Sequence, residues 1–136
     1  MLYYSSFLIL LPIFYGEGTL LGRLYTLLLG TSVLNHAKKK DVYTGKRLVE
    51  VIDKCIVYTI ACTQIHYAII YRKESVLILF WGCFLYVIYN YHFKRRCIQD
   101  AKDNDMETRL VINHVFFHIA CVFGGMVIMY CIKNKV

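Results

Sequence analysis

The chain is 136 residues long, 58% hydrophobic and only 18% charged, with a formal net charge of +7. Soluble domains carry roughly 25% charged residues. Here the apolar residues come in long blocks with the charges between them, which speaks against an amphipathic soluble bundle. The basic residues flank those blocks and form no face or tail, so the charge reads as membrane-flanking rather than as a nucleic-acid footprint.

The mean hydropathy of +0.48 fits the same class. Repeats and linkers are absent, Pro12 is the only proline, and residues 1–136 read as one domain. Five of the six cysteines fall inside apolar runs and no CxxC pair occurs, so they read as free thiols acting as small hydrophobes.

In chain order the apolar segments are 2–15, 18–37, 48–71, 75–93 and 110–132. The last four each reach about the 20 residues that a bilayer-spanning helix needs. The first, with 14, is either a short tilted span or an interfacial helix. It lacks the basic start and small-residue cleavage site of a removable signal peptide and is expected to be retained. The fold expected is therefore an all-α, multi-pass integral-membrane bundle of five helices, or four plus one interfacial helix. Tyrosines near the segment ends, such as Tyr15, Tyr43, Tyr71, Tyr89 and Tyr91, suit an aromatic belt.

Charge orients this bundle. Where segment 2 ends, 3 begins, 4 ends and 5 begins, the flanks hold ten basic residues: Lys38, Lys39, Lys40, Lys46, Arg47, Lys94, Arg95, Arg96, Lys102 and Arg109. The opposite side holds four, Arg72, Lys73, Lys133 and Lys135. The positive-inside rule puts the richer side in the cytosol, together with the N-terminus if segment 1 crosses.

Polar residues inside apolar segments are costly and mark candidate sites. Segment 2 ends "GTSVLNHA", with Ser32 and His36 four apart. Segment 3 opens "RLVEVIDKCIVY", which carries Asp53, and segment 5 opens "VINHVFFH", which carries His114 and His118. Antiparallel threading brings all five to the cytosolic side at similar depth.

Residues four apart share a helix face, about 40° apart around the axis and about 6 Å along it. Two imidazoles so spaced can bind one metal, and His36 would supply a third nitrogen. Three histidines with one position left open form a catalytic zinc arrangement. Neutral imidazoles, which metal binding requires, are also cheaper to bury than charges. Asp53 would handle a proton and Ser32 would hydrogen-bond a substrate carbonyl or oxyanion.

"SVLNH" (32–36), Asp53 at the head of the next helix and "HVFFH" (114–118) resemble the SxxxH … D … HxxxH signature of an integral-membrane metal-hydrolase superfamily. That superfamily includes alkaline ceramidases, the adiponectin and progestin receptors, hemolysin-III-type proteins and lipid-remodelling proteins. The resemblance covers segments 2, 3 and 5. It implies Zn2+ held by His36, His114 and His118, with Ser32 and Asp53 beside the metal. It also implies hydrolysis of a lipid amide bond, as in the ceramidases. The superfamily typically has seven helices, whereas this chain has room for five. Losing two between the third and the last preserves the direction of the last helix but removes walls of the lipid cavity.

Other readings of the same residues stay open. His114 and His118 suit helix–helix hydrogen bonding, Ser32 a bond to its own backbone, and Asp53 an ion pair with Lys46, Arg47 or Lys54. Glu50 is a shallower rival of Asp53. Cys121 shares the face of the histidine pair. His66 lies 13 residues beyond Asp53, about 20 Å along the axis, too far to join it. His92 sits in a belt-and-anchor stretch.

Two functions follow. One is a zinc-dependent, ceramidase-like hydrolase acting on a lipid amide or ester. The other is a non-catalytic receptor-like or structural protein whose zinc ties helices together. A membrane lipid is the expected substrate or ligand and nucleic acid is not expected; the sequence leaves the oligomeric state open.

Overall fold

The computed structural model describes residues 6–37 and 46–134, with the side chains of His36, Ala37, Lys46 and Arg47 outside that description. Among the described residues the chain is all-helical and forms five successive rods. Helix α1 is Ser6–Tyr15 and opens with a 3-10 turn over Ser6–Ile9. Helix α2 is Leu20–Ala37 and α3 is Lys46–Ile70. Helix α4 covers 77–101, as an α-helix over Leu77–Tyr89, a π turn over Asn90–Lys94 and a final stretch over Arg95–Ala101. Helix α5, Met106–Asn134, has 29 residues.

The turns follow from local chemistry. Thr19 caps α2, its hydroxyl accepting from the Gly22 N–H at 3.0 Å and donating to the Gly16 carbonyl at 2.6 Å. A side chain at Gly22 would run into the Gly16 carbonyl, so only glycine lets α1 and α2 approach this closely. Lys102 takes a left-handed conformation (φ 44°) that ends α4. Asp103 then pairs with Arg109 and ties the short connection to the first turn of α5.

Side-chain hydrogen bonds fix the packing directions. The Ser6 and Ser32 hydroxyls meet at 3.1 Å, joining the start of α1 to the end of α2. Gln64 Nε2 donates to Tyr25 Oη at 2.6 Å, joining the end of α3 to the start of α2. Tyr25 in turn donates to the Cys121 carbonyl of α5 at 3.2 Å. Asn90 of α4 meets Asn113 of α5. Consecutive rods therefore alternate in direction, as the sequence segments require.

The apolar core is concentrated at one end. Tyr25, Leu21, Phe80, Ile128 and Met129 are at most 2% exposed, and they gather around the second half of α5. There Val122, Gly124, Gly125, Val127, Ile128, Met129 and Cys131 are all buried. In the first half of α5, over 106–121, Asn113 is the one buried residue. Outward faces carry large apolar side chains, among them Phe14, Leu48, Ile78 and Leu85, each more than 60% exposed.

Among the described residues one helix, α5, is long and apolar enough to cross a membrane, where the sequence segments lead to an expectation of five, or of four plus one interfacial helix. The reason lies in the other rods. Helix α2 carries Arg23, Asn35 and His36, and α3 carries Glu50, Asp53, Lys54 and Gln64. The apolar α-helical part of α4, Leu77–Tyr89, is 13 residues long before the π turn.

Candidate metal centre

The Tyr25 hydroxyl ties α2, α3 and α5 at one point. From there helical rise sets the levels. Ser32 lies about 10 Å further along α2, and on antiparallel α5 His118 and His114 lie about 4.5 and 10 Å from Cys121 in the same direction. Ser32 and His114 thus come out at about the same height, with His118 about one helical turn nearer to Tyr25. Asp53 joins this end through α2, because Thr31 donates a hydrogen bond to its Oδ1 at 2.8 Å.

On α5 the His114 and His118 rings stand edge to face with centroids 4.5 Å apart. Phe117 stacks on His114 at 5.9 Å. The Nε2 atom of His114 is buried. Two neighbouring imidazoles in a half-buried, aromatic setting bring together the type of nitrogen donor that zinc takes.

Ser32 is 3% exposed and its hydroxyl faces that of fully buried Ser6. Asp53 is half-buried. Its acceptor contact is with Thr31, while Lys54 pairs one turn back with Glu50 at 3.0 Å on the exposed surface. The ion-pair reading of Asp53 with Lys54 is therefore not the arrangement adopted, and Glu50 is engaged elsewhere.

His36 occupies the last turn of α2, at the same end, and its side chain lies outside the described residues. Among the described residues, no three His, Cys, Asp or Glu side chains converge closely enough to hold a metal ion. The histidine pair supplies two donors that fit zinc, and a third would have to come from His36. His66 and His92 are exposed and lie against Tyr67 and Tyr91. Cys121 is a half-buried free thiol.

Sequence reading passed over Thr31, Ser6 and the Asn90–Asn113 pair. Each is a polar side chain within or beside an apolar run, the same signal that picked out the histidines. Thr31→Val keeps the shape and removes the hydroxyl that reaches Asp53 at 2.8 Å and, at longer range, the Leu27 and Leu28 carbonyls. The expected result is a loss of about 1.5 kcal/mol in thermal unfolding, with recovery in Thr31→Ser.

No family model, curated protein or solved structure matches this chain.

Proposed function

We propose that the chain is a multi-pass integral-membrane protein, a shortened relative of the ceramidase and receptor superfamily. In this reading one zinc ion is held by His36, His114 and His118 at the cytosolic side, and the protein hydrolyses an amide or ester bond of a membrane lipid. The observation that carries the proposal is the close His114–His118 pair on α5; the Thr31–Asp53 bond, one residue from Ser32, supports it. The large apolar side chains exposed on the outer faces of the rods support the membrane setting.

Zinc in such a site supplies Lewis acidity toward a carbonyl and toward water. The remaining work falls to the chain. Asp53, oriented by Thr31, takes the proton from the attacking water and returns it to the leaving group. Ser32 donates to the carbonyl oxygen once the substrate replaces Ser6 as its partner. An acyl chain would approach the histidines along the first half of α5, where Asn113 is the one buried residue over 106–121.

A second reading is favoured by one contact. Ser32 lies buried against Ser6, which suits a zinc that ties α2 and α5 together without turnover. Asp53→Ala separates the two readings when lipid amide hydrolysis, zinc content and thermal unfolding are measured together. A hydrolase loses about 10²- to 10⁴-fold in rate with zinc retained. A structural site shows a change in unfolding alone, and that result would overturn the hydrolase.

A further inference from the structure

Helices α4 and α5 meet at the histidine end through polar groups. Asn90 Nδ2 donates to Asn113 Oδ1 at 2.8 Å, and Asn113 Nδ2 donates back to Asn90 Oδ1 at 3.0 Å. Asn90 Nδ2 also lies 3.4 Å from the Asn113 carbonyl. The two residues are 3% and 5% exposed. Asn90 is the one buried residue in the stretch 81–97 of α4, as Asn113 is in 106–121 of α5. Where an apolar seam would tolerate sliding, this interface has a reciprocal amide clasp.

Such a clasp works in one register. Moving α5 by one residue shifts it about 1.5 Å and turns it about 100°, which parts both amides while they stay buried. Buried asparagines that fix register are the best-attested use of polar groups in helix interfaces. The π turn begins at Asn90, whose carbonyl accepts from the Arg95 N–H. This widened turn coincides with the point where α4 reaches across to α5. Asn113 immediately precedes His114, so the clasp that sets Asn113 also sets the rotation of the His114 and His118 face.

We propose that Asn90 and Asn113 form a register lock and are positioning residues for the histidine pair. The lock itself is independent of the zinc reading; its effect on metal binding rests on that reading.

A direct probe of register is built into the same interface. A Cβ at Gly124 would lie 3.4 Å from the Cys83 Cβ, close to the distance a disulfide needs. Copper-phenanthroline oxidation of Gly124→Cys in detergent, followed by peptide mapping, should therefore join that position to Cys83. Adding Asn90→Leu with Asn113→Leu replaces the clasp by an apolar pair. Asn90→Ala with Asn113→Ala serves if the leucines are too large, circular dichroism selecting the pair that retains helix content.

The expected result is a several-fold loss of the Cys83 crosslink. Alongside it, variants without the cysteine probe should lose at least tenfold in zinc affinity, measured by chelator competition. Asn90→Gln, which keeps an amide facing Asn113, should recover most of both. A purely structural role would restore zinc binding as soon as the apolar double variant folds. An unchanged crosslink overturns the lock, and a lost crosslink with unchanged zinc affinity overturns the positioning role. Wild-type protein that binds no zinc overturns the metal reading alone, since the crosslink still decides the lock.

Discussion

Replacing His114 with alanine should strip the metal from detergent-purified protein, taking zinc from about one ion per chain to a small fraction of that. Two of the three proposed nitrogen donors sit on one face of α5, their rings 4.5 Å apart. Loss of either leaves too few donors for a stable tetrahedral site. Helix content should not change, because the position is half-buried and alanine is the best helix former. His118→Ala should behave in the same way, while His66→Ala and His92→Ala, both at exposed positions, should keep the metal. Elemental analysis of the four variants beside wild type is the measurement. Unchanged zinc in His114→Ala would falsify the metal centre.

Gly125→Leu should have the largest effect on stability. A Cβ at this position would run into the Tyr25 ring, with its Cζ at 2.8 Å and the hydroxyl nearer still. That ring is 1% exposed and cannot move aside without giving up its bonds to Gln64 and the Cys121 carbonyl. Overpacking costs about 1–3 kcal/mol, and a buried amide left unpaired about 1–3 more. A loss of roughly 3 kcal/mol or more is expected, read as a large drop in melting temperature by circular dichroism. A melting curve like the wild type would mean that Tyr25 is not the joint between α2, α3 and α5.

Those contacts explain what could be foreseen from sequence. Helical class and the order of the rods were legible because apolar blocks and charged flanks repeat along the chain. The alternation of helix directions was legible too: the end of α2 meets the start of α3 through Thr31 and Asp53, and the end of α3 returns to the start of α2 through Gln64 and Tyr25.

Partners were not legible. Nothing in "GTSVLNHA" tells that Ser32 meets Ser6, because that contact depends on how a ten-residue helix leans across α2. Thr31 was hidden for another reason. Threonine in a helix ordinarily bonds its own backbone, and Thr31 does lie 3.2 Å from the Leu28 carbonyl. The π turn was invisible as well, because "IYNYHFK" has no glycine or proline to mark a break in helix geometry.

The uneven closure of the bundle bears on how such a protein can evolve. Cohesion is lodged among Tyr25, Phe80, Ile128 and Met129, whereas the histidines occupy the opposite, sparsely filled end. If that end holds the proposed zinc site, changes that retune it fall on half-buried side chains outside the main apolar cluster. On the proposed function, the usual conflict between altering a site and keeping a protein folded would be relaxed, leaving selection free to refit one pole while the other stands unchanged.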